Sequence, residues 1–187
     1  MDEKIVLKRI IGGERSLFRI LVDNYKDISL TLAYSIVRNQ EEAEDIVQDA
    51  FIKAYMSLPR FNFKSSFRTW FYRIVVNTSY HSLEKSKTRK TSPIDHGLIS
   101  LETSNLNGYD AIRANERKQI IHSALAHLKI NEALILELYY LGEQSNKEIA
   151  EITGMSLSNI KVTMHRARKN FFEQLKRIAG NEKDDIL

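Results

Sequence analysis

The sequence predicts an all-α protein of two small helical domains joined by a flexible linker, with a helix-turn-helix in the C-terminal domain. Turn-forming residues are scarce, since the 187 residues include 7 glycines and 2 prolines. After Gly12 and Gly13 no glycine occurs until Gly97, and Pro59 and Pro93 are the only prolines between them. Strand-rich folds need more frequent turns than this. Apolar residues at helical spacing and a polar central stretch support the same prediction.

The first half of the chain is predicted to form one helical unit. Asn39 is expected to cap its third helix, because Glu41 and Glu42 then lie at the positive end of the helix dipole. Pro59 interrupts the helical pattern and opens a loop, Pro59–Ser66. The expected helices are Ile5–Ile11, Ser16–Val37, Gln40–Ser57 and Phe67–Lys85.

A change of composition separates this unit from a second one. From Ser86 to Asp110 the chain is rich in Ser, Thr, Asn and Gly and has no clear period. Such a stretch cannot repay its ordering entropy by burial, so the two units are expected to be loosely tethered. Helices are expected again at Ala111–Leu128 and Asn131–Leu141. The predicted divisions are an N-terminal domain at 1–85, a linker at 86–112, a C-terminal domain at 113–180 and a tail at 181–187.

Residues 146–175, NKEIAEITGMSLSNIKVTMHRARKNFFEQL, have the pattern of a helix-turn-helix. Gly154 is expected to end the first helix with a positive φ, and Ser156 or Ser158 to cap the second. The second helix repeats apolar residues at Ile160, Met164, Ala167, Phe171, Leu175 and Ile178. An ordinary amphipathic hairpin with a basic solvated face is the alternative. The other face carries side chains able to bind bases and phosphates: Ser158, Asn159, Lys161, His165, Arg166, Arg168 and Lys169.

The distribution of charge is more informative than the net charge of +4. From Glu41 to Asp49 there are five acids and no base. From Leu58 to Lys90 there are eight bases and one acid, and from Leu157 to Gly180 six bases and one acid. Two separate basic zones, with an acidic helix beside the first, indicate two contacts with DNA and one with protein.

Aromatic and basic residues alternate in the first basic zone. Stacking rings in a cationic groove are typical of proteins that hold unpaired bases. Helical spacing favours a core position for at least half of these rings, which leaves Phe61 and Phe63 of the loop as the expected functional ones. The aromatic residues are Phe61, Phe63, Phe67, Trp70, Phe71 and Tyr72, interleaved with Arg60, Lys64, Arg68 and Arg73.

The acidic helix has an apolar stripe of Ala43, Ile46, Val47, Ala50 and Ala54. A solvated acidic face is one interpretation of its other side. A contact with a basic protein surface is the interpretation favoured here, because this face would repel DNA. The outward residues are Glu41, Glu44, Asp45, Gln48 and Asp49.

Three stretches, in this order, resemble the sigma-70 family, and within it the extracytoplasmic-function (ECF) sigma factors. They are AEDIVQDAFIKAY, FRTWFYRIVVN and KEIAEITGMSLSNIKVTMHRAR. The resemblance covers about residues 12–83 and 113–178. It implies a factor that binds core RNA polymerase, recognises the −35 and −10 promoter elements and opens the promoter. The implied partners are the β′ clamp helices and β flap of core polymerase, promoter DNA and, as is common in the family, an anti-sigma factor.

The resemblance also assigns residues to these contacts. Core polymerase is expected to bind Glu41, Glu44, Asp45, Gln48 and Asp49. The −10 element is expected to contact Arg60, Phe61, Asn62, Phe63, Lys64, Arg68, Trp70, Arg73 and Asn77. The −35 element is expected to contact Ser158, Asn159, Lys161, His165, Arg166, Arg168 and Lys169.

Other classes of function find less support in the sequence. A two-domain transcription regulator would need a sensing domain, and the first half shows no strand-helix alternation. The five histidines have no metal-ligand spacing and there is no cysteine, so no catalytic residue, metal, cofactor or small-molecule substrate is expected. The apolar run Ala133–Leu138 is broken by Glu137 and is far shorter than the roughly 18 residues of a membrane span. A cytoplasmic protein without a secretory signal is expected.

Overall fold

The computed structural model describes residues 2–89 and 108–181, and its first unit consists of four helices. They are α1 (Glu3–Ile11), α2 (Phe18–Val37), α3 (Gln40–Ser57) and α4 (Phe67–Arg89). Short 3-10 turns at Arg15–Leu17 and Leu58–Arg60 precede α2 and follow α3. The bounds of α3 are those predicted. Asn39 caps it as expected, because its side chain accepts a 2.8 Å hydrogen bond from the Glu42 amide.

Aromatic rings from α2, α3 and α4 fill the core of this unit. The Phe71 ring is fully buried, stacks on Phe67 at a centroid distance of 5.7 Å and lies 4.5 Å from Phe51. Four of the six rings between positions 61 and 72 are buried, which confirms that at least half of them belong to the core. The predicted inward stripe of α3 is buried in full.

The second unit consists of α5 (Gly108–Ala126), α6 (Ile130–Tyr140), α7 (Asn146–Thr153) and α8 (Leu157–Asn181). No strand occurs among the described residues, and the all-α prediction is confirmed. Helix α4 continues to Arg89 and α5 begins at Gly108, so helices occupy both ends of the segment assigned to the linker. The rest of that segment, 90–107, and residues 182–187 of the tail lie outside the described residues.

The two units pack directly against each other. Helix α6 lies against α2 and α7 lies against α4, and one continuous cluster of buried apolar side chains runs through both units. A Cβ atom at Gly142 would lie 2.8 Å from the Leu138 carbonyl oxygen and 3.2 Å from the Tyr72 ring, so glycine permits this approach. The composition of the linker did not predict this contact between the described helices of the two units. The amino-acid composition of the linker describes the connecting segment only. It carries no information about how well two helix faces from distant parts of the chain fit together.

Candidate nucleic-acid interface

The helix-turn-helix is built by local hydrogen bonds at both ends of α7. Ser145 and Glu148 form a capping box at its start, in which each side chain bonds the other residue's backbone amide. Gly154 ends the helix with a φ of 72°, as predicted, and its amide donates a 2.9 Å hydrogen bond to the Ala150 carbonyl. Of the two serines considered as caps for α8, Ser156 accepts a 3.2 Å hydrogen bond from the Asn159 amide.

Helix α8 buries one face and exposes the opposite one. Ile160, Met164 and Ala167 are buried in the core of the second unit, while Phe171, Leu175 and Ile178 are partly buried. A helix offered to the major groove needs such a free polar face. All seven residues expected at the −35 element are exposed: Ser158, Asn159, Lys161, His165, Arg166, Arg168 and Lys169.

Two of these side chains are held by a buried threonine. Thr163 is 4% exposed, and its hydroxyl donates to Asn159 Oδ1 at 3.1 Å. Arg166 Nη2 donates to the same hydroxyl at 3.5 Å. Sequence patterning did not single out Thr163, because it lies between the apolar stripe and the polar face. It restricts Asn159 and Arg166 before any ligand is bound, which lowers the entropy lost on binding.

Arg168 has a different environment from the rest of the group. Its guanidinium carbon lies 5.2 Å from the Tyr139 ring centroid and 5.6 Å from that of Tyr140, within range of a cation–π interaction. Both tyrosines lie at the end of α6. Arg168 therefore lies on the side of α8 that is next to α6, and its guanidinium contacts the rings of Tyr139 and Tyr140.

The loop before α4 differs from the sequence-based expectation at one ring. Phe61 is 7% exposed and packs on Trp70 and Phe67 at centroid distances of 5.0 and 6.2 Å, so its ring supports the loop from the core. Phe61 was expected to be one of the two functional rings of the loop, and its burial instead makes it part of the core. Phe63 keeps an exposed fraction of 37% and has a φ of 58°, an uncommon conformation for a bulky side chain. Helical spacing could not assign either ring, because the loop has no period.

Polar groups of the same loop remain accessible. Asn62 is exposed, and its Oδ1 accepts a 3.2 Å hydrogen bond from the Lys64 amide. Trp70 is partly buried, and its ring centroid lies 5.0 Å from that of Phe61. The remaining exposed residues expected at the −10 element are Arg60, Lys64, Arg73 and Asn77.

Arg68 and Thr69, in the first turn of α4, contact the second unit. Arg68 Nη1 lies 2.7 Å from Glu143 Oε2, and the Thr69 hydroxyl lies 2.9 Å from Gln144 Oε1. Glu148 Oε1 lies 3.2 Å from the same hydroxyl. Arg68 was expected to hold a DNA strand, and in this arrangement its charge is directed to Glu143. Contacts between residues about 75 positions apart leave no mark on local spacing.

A buried carboxyl group lies at the contact between the units. Glu137 on α6 is 5% exposed, and its Oε2 has no hydrogen-bond partner. Burial raises the pKa of this carboxyl to about 8, although the hydroxyl of Ser35 in α2 and the guanidinium of Arg38, directly after α2, act in the opposite direction. In the sequence, Glu137 is the charged residue that interrupts the apolar run Ala133–Leu138. It is buried only because α6 packs on α2.

The acidic face of α3 is exposed at all five predicted positions: Glu41, Glu44, Asp45, Gln48 and Asp49. Two apolar residues extend it. Ile52 is 56% exposed and Met56 is 75% exposed, and their spacing from Gln48 places them on the same side of the helix. The sequence signal that could have found them is their position outside the inward stripe. This face therefore offers apolar area next to carboxylates, a combination typical of protein interfaces.

Metal and membrane sites find no support in the part of the chain that the structure covers. Between residues 2 and 89, and between 108 and 181, no group of three or more His, Cys, Asp or Glu side chains could hold a metal ion. Within the same ranges no helix is sufficiently long and apolar to span a bilayer.

Comparison with known proteins gives the family. Residues 21–89 match the model of sigma-70 region 2, and residues 118–171 match that of sigma-70 region 4. The chain is 30% identical over 177 residues to the ECF RNA polymerase sigma factor SigW of Bacillus subtilis, with 91% of this chain and 95% of that protein covered. It is 27% identical over 179 residues to the ECF sigma-E factor of Escherichia coli K12, with coverages of 90% and 92%.

Two solved structures share the fold. The sigma factor RpoE of Bartonella quintana, crystallised with the anti-sigma factor NepR, superposes with a TM-score of 0.68 at 22% identity, covering 85% of this chain and 96% of that one. CnrH, in complex with the cytosolic domain of CnrY, gives a TM-score of 0.65 at 21% identity, with coverages of 94% and 97%. The two matched regions, their order along the chain and the full-length relatives show that this protein belongs to the sigma-70 family, as an ECF RNA polymerase sigma factor.

Proposed function

We propose that this protein binds core RNA polymerase, recognises −35 and −10 promoter elements and opens the promoter for initiation in the cytoplasm. The observation that carries the proposal is the separation of exposed charge between the two matched regions. The region 2 unit exposes an acidic face on α3, and the region 4 unit exposes a basic polar face on α8. One face suits a basic protein surface and the other suits DNA.

Helix α8 is proposed to enter the major groove of the −35 element. Its exposed Asn159, Lys161 and Arg166 are side chains of the types that pair with base edges. Lys169 is one helical turn further on, where a phosphate contact would set the register of the helix. Arg168 is proposed to act through Tyr139 and Tyr140, by holding the end of α6 against α8.

The −10 element is proposed to bind the loop before α4 and the exposed side of that helix. A base flipped out of the stack would lie on Phe63 and bond Asn62, while Arg60 and Lys64 hold its strand. Arg73 and Asn77 continue this surface along α4 at a spacing of one helical turn. Phe61 and Trp70 support the loop from below.

The acidic face of α3 is proposed to dock on the β′ clamp helices of core polymerase. Glu41, Glu44, Asp45, Gln48 and Asp49 would form the polar part of the contact. Ile52 and Met56 would supply its apolar centre, where binding energy concentrates in most interfaces. The second unit is proposed to contact the β flap through the exposed apolar group at the end of α6, which consists of Tyr139, Tyr140 and Leu141.

Promoter binding is proposed to separate the two units. The two elements lie about 25 base pairs apart, and at the rise of duplex DNA this is roughly 85 Å. In the structure α4 and α7 are in direct contact.

An anti-sigma factor is proposed as a further partner, because the solved relatives of the same fold include a sigma factor bound to one. Such a partner could act by stabilising the direct contact of α6 with α2 and of α7 with α4.

The test uses the full-length protein with purified core polymerase. DNA retained by this complex from fragmented genomic DNA would be sequenced, and the recovered promoters transcribed in vitro. Asp45→Lys with Asp49→Lys should abolish core binding and transcription. The matched control is Asp23→Lys with Asp27→Lys, which makes the same change of charge at the same spacing on the exposed side of α2. Equal core affinity of both double variants would overturn the proposed polymerase contact.

A further inference from the structure

The exposed face of α8 contains an apolar residue in its centre. Val162 is 54% exposed. Ser158 lies four residues before it and Arg166 four residues after it, so they are its neighbours on the helix surface. Asn159 and His165, at a spacing of three, border it on the two sides. All four neighbours are polar and exposed, and Val162 is thus an isolated apolar site within the proposed DNA-reading face.

Solvation of the helix gives no reason for a valine at this position. Valine has a lower helix propensity than Lys, Arg, Gln or Glu, and an exposed side chain recovers nothing by burial. Its branched Cβ leaves a single strongly preferred χ1 rotamer in a helix, so its two methyl groups point in a fixed direction. A rigid apolar group is thus presented beside Asn159 and Arg166, which Thr163 restrains from the other side.

The major groove offers one apolar group that matches this arrangement. The C5 methyl of thymine is apolar, whereas the edges of guanine, adenine and cytosine present hydrogen-bond donors and acceptors. A valine over a polar edge would remove water from it without replacing the lost hydrogen bond. The same valine over a thymine methyl would exclude water from two apolar surfaces.

We propose that Val162 is a specificity-determining residue that recognises the C5 methyl of a thymine in the −35 element. The inference rests on the proposed function, because it requires α8 in the major groove. Asn159 and Arg166 would bond the base edges on either side of that thymine. Val162 then adds discrimination at a base pair where hydrogen bonding alone would accept more than one sequence.

The experiment replaces thymine by deoxyuridine, which removes the methyl and leaves the hydrogen-bonding edge unchanged. A −35 sequence is first selected from a random duplex library with the full-length protein bound to core polymerase. Each thymine of the selected sequence is then replaced singly, and the affinity of the complex is measured by competition. One thymine should show a loss of about fourfold, the factor expected for burying one methyl-sized group.

Variants assign that methyl contact to Val162. Val162→Ala should bind the thymine and deoxyuridine duplexes equally well, and circular dichroism should report an intact helix. Ile121→Ala is the matched control, because Ile121 is an exposed β-branched residue on α5 with 45% of its surface accessible. This control should keep the full penalty for deoxyuridine.

The outcomes separate this proposal from the proposed function. If the complex selects a −35 sequence but no thymine methyl affects affinity, or if Val162→Ala keeps the penalty, the role of Val162 is overturned and promoter recognition stands. If the complex selects no sequence at all, both proposals are overturned.

Discussion

The Arg68 guanidinium lies 2.7 Å from the Glu143 carboxylate, and this ion pair joins the first turn of α4 to the turn that precedes α7. Beside it Thr69 bonds Gln144 of the same turn and Glu148 in the first turn of α7. The start of α4 also adjoins the loop proposed to capture a base. The contact between the units therefore adjoins the loop proposed to act in promoter opening, and the ion pair with Glu143 engages the charge that Arg68 is proposed to offer to a DNA strand.

The hydrogen bonds of Thr69 should hold the units together more strongly than the ion pair of Arg68. Gln144 is 3% exposed, so Thr69→Val would leave its buried carbonyl oxygen without this donor, at a cost of about 1–3 kcal/mol. The Glu143 side chain is 73% exposed, and Glu143→Ala should cost about 0–1 kcal/mol because water screens the pair. Small-angle scattering should show a larger radius for Thr69→Val. A larger radius for Glu143→Ala than for Thr69→Val would contradict this order.

Stability should fall as pH rises toward 8, because Glu137 binds a proton more tightly in the folded protein. The pKa of Glu137 in the folded protein is about 8, whereas a glutamate in the unfolded chain has a pKa of about 4.3. Between these values the folded state holds the extra proton, so its stabilising effect is complete below about pH 4 and is lost by about pH 8. Glu137→Gln should flatten this dependence in urea unfolding. Glu151→Gln, on the exposed side of α7, is the control and should keep the slope of the wild type.

Base-reading and phosphate-binding residues of α8 should differ in their effects on DNA binding. Lys161→Ala or Arg166→Ala should cost about 1–3 kcal/mol at one base pair of the −35 element. Lys169→Ala should weaken binding to every sequence alike and lower the salt slope by about one. Affinities of the polymerase complex for single-base variants of the site, at several salt concentrations, give both quantities. Equal losses on specific and scrambled DNA for all three variants would exclude base reading by α8.

Substitutions of the two loop phenylalanines should have different effects, on promoter opening at Phe63 and on the stability of the protein at Phe61. Phe63→Ala and Asn62→Ala should reduce promoter opening, measured as permanganate reactivity of thymines near −10, while core binding stays intact. Phe63→Gly tests whether the ring or the backbone matters, because glycine accepts the φ of 58° without strain. It should open promoters as poorly as Phe63→Ala. Phe61→Ala should instead destabilise the protein by about 3–5 kcal/mol, since this ring is buried. Normal opening by Asn62→Ala, Phe63→Ala and Phe63→Gly would place base capture elsewhere.

Local patterns in the sequence were sufficient for the helices and for their outward faces. The bounds of α3, its Asn39 cap and the positive φ of Gly154 were all predicted, because each depends on residues within one or two turns of helix. The same holds for the exposed residues of α3 and α8, since helical period alone separates an inward stripe from an outward face.

Tertiary structure decided everything that depends on residues far apart in the chain. Whether Phe61 faces solvent, whether Arg68 is available to DNA and whether Glu137 is buried all follow from contacts with other elements. The physical reason is that burial and ion pairing are set by which surfaces meet. The sequence determined by itself that this chain forms helices with one acidic and one basic exposed face. The packing of α6 on α2 and of α7 on α4 determined which charged side chains are buried or paired within the protein and which stay exposed to a partner.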